Sequence, residues 1–465
     1  MRVTNSMIFG NTLNNVWRKQ RHLTDLVTQI ETGRVIQRPS EDPSISARYL
    51  RYRNILSETE QFLRNAHQGT AWMEVSESAL QSVVEDIMNQ MNHRFVEAAN
   101  GTNTHEDRLA IIAELRELVD QIGLHMNQTY LGGYVFSGFR TNQPPILNND
   151  VIGNFLVTQT FNASDIERTR ALQLRTPPAM HHTPDINILK IPFRDVSFPS
   201  ITDNTGGALL PNVGIFDPDG APFYVITLDS SDADAYLPDD TNGVGVPVIH
   251  FIRDTGELVM SDATAEIFQN GTTITYKVTN PRAGDLNPLV YFPTVQLTEM
   301  TEDFIVTSAE FFDVLGDNIQ MEIASGTHIT INSLARNIFT DKMFADLRRL
   351  FEFADSITAT DDSSENAQIQ ALLFDRFNNM LYLHNRHSMQ AISEHTNLGS
   401  RMARLDMTQN RLEENEISYT SLLSAVIDTP YHEAITRLNN GQAAYQAALR
   451  ANAMLMQLSL VNFIG

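Results

Sequence analysis

Apolar side chains recur at alternating steps of three and four along both ends of the chain, and the rhythm is lost in the middle. Near the start, Leu13, Val16, Gln20, Leu23, Val27 and Ile30 form such a stripe with one polar member, which predicts an amphipathic helix with an a/d seam. That helix is expected to stop near Gly33. In the turn Arg38-Pro39-Ser40-Glu41-Asp42-Pro43, Asp42 can serve as N-cap and Pro43 as first helical residue, because the N–H that proline lacks would have no partner there. A second stripe passes through Ile45, Tyr49, Tyr52, Leu56, Thr59, Leu63, Ala66, Thr70, Met73, Glu77, Leu80, Val84, Ile87 and Met91. A seam of that length is unusual in an ordinary globular domain. Asn100-Gly101 breaks it, Thr102, Thr104 and Asp107 can cap a new start, and Ile112, Leu115, Val119, Ile122, Met126 and Thr129 resume it.

The other end repeats the logic. Leu405, Thr408, Leu412, Asn415, Tyr419, Leu422 and Val426 close a long helix that begins near Asn366, and Asp428-Thr429-Pro430 interrupts it. A last helix carries Ile435, Leu438, Gln442, Tyr445, Leu449, Asn452, Met456, Ser459 and Phe463 almost to the C-terminus. Between the flanks lie 15 of the 18 prolines, from Pro144 to Pro293, and long helices are excluded there. Residues 224–228, 246–252, 272–278 and 289–292 are β-branched or aromatic and bounded by turn formers, which predicts strands. A hairpin is expected from Ile319–Ile323 through Ser325-Gly326 to Ile329–Ile331, followed by a helix with Met343, Leu347, Leu350, Ala354 and Ile357 on one face.

The fold class expected is mainly α with a β-rich insert. It is a long antiparallel helical bundle or coiled coil with N- and C-terminal helices paired and a distal β domain. Three domains follow: 1–42 with 430–465 as a terminal coiled-coil assembly domain, 43–145 with 311–429 as a helical rod with a small β-hairpin, and 146–310 as the insert. The terminal seams hold Gln20, Gln442 and Asn452, so they bury less apolar area than an all-aliphatic pair and need neighbours. The residues assigned to that assembly interface are Leu13, Val16, Trp17, Leu23, Leu26, Val27, Ile30, Ile435, Leu438, Tyr445, Leu449, Met456 and Phe463. Trp17, beside Arg18 and Lys19, reads as an interface anchor.

Charge narrows the function. The net charge of −23 repels nucleic acid phosphates and anionic membrane surfaces, and only Lys19, Lys190, Lys277 and Lys342 are lysines, so neither a nucleic acid nor a membrane partner is expected. The termini run against this balance. Arg2, Arg18, Lys19, Arg21, Arg34 and Arg38 outnumber Asp25 and Glu31 in 1–38, and Arg437 and Arg450 outnumber Glu433 in 430–465. With no cysteine there is no disulfide, thiolate metal site or thiol nucleophile. Neither a secretory signal nor a membrane-spanning apolar run is readable.

Three places have residue types that could carry catalytic or metal chemistry. His384-x-x-His387 with His395 has a spacing that could hold a metal, but it lacks the base of a His-Glu-x-x-His motif and is read as helix packing. His181-His182 is read as part of a Pro-bounded loop. Asp229, Asp232, Asp234, Asp239 and Asp240 lack the glycine and spacing of a calcium loop and are read as solvated. No phosphate-binding glycine loop or nucleophile elbow occurs. No enzyme activity, metal or cofactor is therefore expected.

Two stretches resemble a known family. Glu31-Thr-Gly33-Arg34 followed by Pro39-Ser40-Glu41-Asp42-Pro43 resembles the Gly/basic turn and Pro-Ser-acidic-Asp-Pro helix start of the flagellin superfamily. Gly132-Gly133-Tyr-Val-Phe136-Ser-Gly138 is similar to the Gly-Gly-x-x-Phe-Ser-Gly segment of its hook-filament junction branch, the FlgL type, and Met1–Thr4 and the stretch 443–461 fit that branch too. The resemblance covers 1–145 and 365–465. It implies a structural adaptor that forms a tubular self-assembly between another hook-associated protein and flagellin. It also implies export unfolded through the flagellar secretion apparatus without a cleaved signal, an export chaperone on the C-terminal helix, and a place in the extracellular flagellum. Flagellin itself is the nearest alternative, and a metal-dependent enzyme domain in the insert a more distant one.

Overall fold

The computed structural model describes residues 5–101, 103–151, 153–173, 181–193, 196–198, 215–216, 222–229, 232, 234–241, 245–253, 255–268, 272–292, 294–298, 311–313, 318–356 and 363–464. It is mainly helical with a β-rich region, and it separates into two compact units. The terminal unit comprises Met1–His67, Glu322–Thr327 and Met407–Gly465, and the central unit Gln68–Met321 and His328–Asp406.

Helix α1 (Asn5–Thr32) ends where Gly33 takes φ +71°, a left-handed value that glycine adopts without steric cost. Asp42 then caps α2 (Pro43–Gln81) as the sequence indicates, its Oδ1 accepting from Ser44 N at 2.9 Å and Ile45 N at 3.0 Å. A π-helical turn, Ser82–Ile87, was not foreseen. It interrupts the seam between α2 and α3 (Met88–Ala98) and lets adjacent Val83 and Val84 both be buried along with Ile87. The start of α4 (His105–Met126) is a reciprocal cap: Thr104 Oγ1 accepts from Asp107 N, and Asp107 Oδ2 accepts from Thr104 N at 3.0 Å. Those bonds from Thr104 hold the Asp107 carboxyl below its ordinary value.

The β-rich region starts after two short strands, β1 (Thr129–Tyr130) and β2 (Gly133–Tyr134). It contains β3 (Asn154–Phe161), β4 (Glu167–Gln173), β5 (His181–Lys190), β6 (Val196–Ser197), β7 (Ile215–Phe216), β8 (Pro222–Leu228), β9 (Val248–Ile252) and β10 (Glu257–Met260). After α5 (Asp262–Ile267) come β11 (Thr272–Thr279), α6 (Pro288–Tyr291), β12 (Thr294–Thr298) and β13 (Phe311–Asp313). Among the described residues these strands form one sheet in the order β13-β12-β3-β11-β7-β8-β9-β10-β5-β4, with β6 on β11. Its registers are antiparallel except between β8 and β9. Every residue of β9 and β10 is buried, matching the apolar character of residues 248–252 on either side of His250, whereas β11 alternates.

Two expectations in this region are corrected. Residues 289–292 do not form a strand: Asn287 accepts from Leu289 N at 3.1 Å and Pro288 sits in the first turn, so cap chemistry starts the helical α6 despite the β-prone residues that follow. His181 and His182 lie in β5 opposite Gln173 and Leu172, not in a loop. The expected hairpin is present as β14 (Gln320–Ala324) and β15 (Thr327–Thr330), turning at Gly326 with φ +70°. Then come α7 (Ala335–Ile338), α8 (Asp341–Ser356), α9 (Ser363–Ile427) and α10 (Tyr431–Ile464). Met343, Leu347, Leu350 and Ala354 form the buried face of α8 as predicted, while Ile357 lies outside the described residues.

Candidate assembly interface

The two sequence breaks, Gly33–Pro43 and Asp428–Pro430, meet in the terminal unit. Val35 N donates to Ile427 O and Thr429 N to Gly33 O, each at 2.8 Å, across an antiparallel bridge between Arg34 and Asp428. Gln29 Nε2 donates to Val35 O at 2.8 Å, tying the last turn of α1 to the same crossing. A Cβ on Gly33 would lie 3.0 Å from the Tyr431 hydroxyl, so closeness as well as φ demands glycine there.

From this crossing α1 and α10 lie against one another. On α1, Val16 and Leu26 are buried and Leu13, Leu23 and Ile30 half-buried, whereas Val27, expected on the seam, is 37% exposed. On α10 the covered positions are Ala434, Leu438, Gly441, Tyr445, Ala448 and Asn452. Ile435 and Leu449, expected on the seam, are 47% and 43% exposed. The inward stripe is thus one residue off at alternate positions, because Ala434, Gly441 and Ala448 allow close approach that larger residues would prevent. At the site of a Gly441 Cβ, Leu23 Cδ2 is 2.9 Å away and Leu26 Cδ1 3.7 Å. The flexible end of Leu23 can yield to one methyl group. Gly441→Leu is expected to part the helices, costing about 1–3 kcal/mol of overpacking. Loss of assembly by light scattering, with near-native function retained by Gly441→Ala, checks this. The side chains of Met456 and Phe463 lie outside those described.

What the pairing leaves outside is as informative. Trp17 is 56% exposed and Met454 64%, and with Val27, Ile435 and Leu449 they leave apolar surface on both helices. Arg18 and Arg21, exposed beside Trp17, give α1 a basic outward face.

The Gly132–Gly138 motif has a different task, inside the central unit. Leu131 and Gly132 take φ +50° and +83° in the two-residue turn between β1 and β2. Gly133 must be small because its Cβ would lie 3.0 Å from Thr141 Cβ. Phe136 is buried and its carbonyl accepts from Ala335 N at 2.9 Å, Ser137 Oγ donates to Gln143 O at 2.6 Å, and Gly138 takes φ +62°. The motif is a packing clasp.

The histidines on α9 are packed as the sequence suggests. His384 Nε2 donates to Met88 O at 3.0 Å and its ring lies 5.1 Å from that of Phe95. His387 Nε2 is 3.0 Å from Asp346 Oδ2, and His395 is 3.5 Å from Glu77. Among the described residues no group of three or more His, Asp and Glu is placed to hold a metal ion, and no helix is long and apolar enough to cross a membrane. Burial pushes His384 down to about 4, the Met88 bond opposing this and His387 adding to it. The unfolded chain therefore binds a proton between pH 6.5 and 4 that the folded chain does not, and stability falls as pH drops through that window, by about 3 kcal/mol in all. Urea midpoints at pH 7 and 4.5 should diverge in the natural chain and draw together in His384→Gln, whose amide can still donate to Met88.

Residues 3–141, a little under a third of the chain, match the bacterial flagellin N-terminal helical region. Among individual proteins, the chain is 25% identical over 146 residues to flagellar hook-associated protein 3 of Salmonella typhimurium, covering 31% of this chain and 46% of that one. The phase 1 flagellin of Salmonella naestved is 26% identical over 122 residues, 26% of this chain and 24% of that one. A solved flagellar hook-associated protein from Vibrio parahaemolyticus superposes with a TM-score of 0.41 at 13% identity, covering 83% of this chain and all of that one. The chain spans about half the length of the curated hook-associated relative it matches. The resemblance carried by Glu31–Pro43 and Gly132–Gly138 is thereby borne out.

Proposed function

We propose that this chain is a structural component of the bacterial flagellum, an adaptor joining hook-side proteins to the flagellin filament. Its chemistry is packing, and no bond is made or broken. The observation that carries this is the terminal pair: α1 and α10 meet along a thin small-residue seam and leave Trp17, Ile435, Leu449 and Met454 exposed. Such a pair gains stability from further helices that cover the remaining apolar surface. In this reading α1 and α10 pair as a coiled coil and pack beside the terminal helices of neighbouring copies to build a tubular joint. Another hook-associated protein lies on one side and flagellin on the other. Leu13, Val16, Leu23, Leu26, Ile30, Leu438 and Tyr445 hold the pair, and Trp17, Val27, Ile435 and Leu449 face neighbours.

Residues 1–42 with 430–465 serve assembly, 43–145 with 311–429 form the helical rod, and 146–310 is the outward-facing insert. The chain acts in the extracellular flagellum, reached through the flagellar secretion apparatus without a cleaved signal, after a chaperone has held its C-terminal helix. The longer aligned stretch, 146 residues against 122, favours a junction protein over flagellin. Electron microscopy of a gene deletion separates the two. Loss of a junction protein leaves a bare hook that sheds flagellin, whereas loss of flagellin leaves a hook still bearing its junction proteins.

A further inference from the structure

The outward faces of two helices in the terminal unit are complementary in charge and both carry uncovered apolar side chains. On α1, Trp17, Arg18 and Arg21 project from one side within a single helical turn, opposite the Val16, Leu23 and Leu26 face that meets α10. On the last part of α9, Leu405, Leu412 and Tyr419 face inward, and Met407, Glu414 and Ile417 face out, with Glu413 on the flank. Met407 is 66% exposed and Ile417 72%. Neither face is covered among the described residues. Among the described residues no ion pair involves Arg18, Arg21, Glu413, Glu414 or Glu416; Arg18 bonds to Asn15, and Glu413 accepts from Gln409 Nε2 at 3.4 Å. The outward side of α10 offers no rival acceptor, since its Glu433 is taken by Arg437 at 3.0 Å.

We propose that the Trp17-Arg18-Arg21 face of α1 docks on the Met407-Glu414-Ile417 face of α9 in a second copy of this chain. The inference rests on the assembly reading above and names its contact surface. Both faces are open in one chain, so each needs a partner from outside it, and each supplies what the other lacks. Trp17 can bury its ring against Ile417 while the arginines ring it with charge pairs to Glu413 and Glu414, the arrangement of an aromatic anchor within a polar rim. Because two different surfaces meet, the contact is heterologous: every copy keeps one face of each kind free, and the series extends instead of closing as a dimer. Opposite charges also speed encounter and weaken with salt.

The test uses the full-length chain and two charge reversals, Arg18→Glu with Arg21→Glu, and Glu413→Lys with Glu414→Lys. Sedimentation velocity at low salt is expected to show self-association of the natural chain that is reversed by raising the salt. Each variant alone presents like charges on both faces and should associate roughly tenfold more weakly or worse. An equal mixture of the two should regain association, because each face then finds its opposite. A natural chain that stays monomeric at low salt and high concentration, or a mixture no better than either variant alone while both keep the natural circular dichroism, overturns the proposal. If the multiple reversals unfold, Arg21→Glu and Glu414→Lys are compared in the same way. A gene deletion that leaves hook and filament normal would defeat the junction reading while the mixing result still reports on the surface; failed mixing with a bare-hook phenotype would remove only the surface.

Discussion

Removing residues 1–32 or 431–465 is expected to abolish assembly into the flagellum altogether while leaving the central unit folded. Both helices belong to the terminal unit, and the central unit has a core of its own. Met73, Phe95, Leu115, Ile122, Phe136, Ile338 and Phe377 are each at most 1% exposed within it, and Ile186, Ile188, Ala235, Tyr236, Ile252 and Val259 form a further cluster in the sheet. None of those side chains comes from α1 or α10. Deleting either helix therefore removes an interface and spares those cores. Urea denaturation followed by near-ultraviolet circular dichroism should give an unchanged transition for the central unit, while electron microscopy of cells carrying the truncation shows hooks without attached filament. Global unfolding, or normal attachment, would contradict the expectation.

Much of the helical architecture was legible because it is written in local chemistry. Asp42-Pro43 and Thr104 with Asp107 start helices for reasons contained in a few residues, and Gly33 stops one for the same kind of reason. The long stripes on α2, α8 and α9 fell where the steps of three and four placed them, save that Leu422, expected on the α9 seam, is 41% exposed. The terminal seam was legible only as a helix pair. A count of apolar residues selects Val27, Ile435 and Leu449, yet the close approach of two backbones selects Ala434, Gly441 and Ala448, whose virtue is absence of bulk. Small residues carry little hydrophobic signal, so periodicity passes over them. The π-helical turn at Ser82–Ile87 escaped for a related reason, since one inserted residue shifts a seam without erasing it.

The β-rich region was less legible. Strands near 224–228, 246–252 and 272–278 were evident from their composition, but β3, β5 and β12 pair with partners far along the chain, a relation no local pattern encodes. Asn287-Pro288 shows local cap chemistry overruling β-prone residues at 289–292. The buried charges of the central unit carry no signal in the sequence. Lys190, Asp346 and Arg349 look like ordinary solvated residues in sequence, and only their juxtaposition across β5, β10 and α8 shows otherwise.

Asp346→Ala is expected to be among the most destabilising single changes in the central unit, at about 3–5 kcal/mol, because it leaves the buried His387 without its partner and removes one of the two carboxylates that balance Lys190. The Asp346 side chain is 3% exposed, accepts from Lys190 Nζ, and lies 3.0 Å from His387 Nε2; Lys190 also reaches Glu167 at 2.8 Å. Burial alone would push this carboxyl up, but Lys190 and the His387 bond outweigh it and hold it below the ordinary carboxylate value. A depressed carboxyl contributes stability that is present above its unfolded value, near 3.8, and is lost as pH falls through the lower folded value. Acid unfolding should therefore have two stages, the His384 window from 6.5 to 4 and then the Asp346 loss below it, and only the second should vanish in Asp346 variants. Removing the ion pair as a whole separates stranded charge from lost attraction. Lys190→Met with Asp346→Leu fills the space with apolar atoms, leaves Glu167 at the edge where water can reach it, and should cost clearly less than Asp346→Ala alone. Urea midpoints of the two variants at pH 7 decide it: a double variant as unstable as the single one would mean that the lost attraction, and not the under-balanced charge of Lys190, dominates the loss.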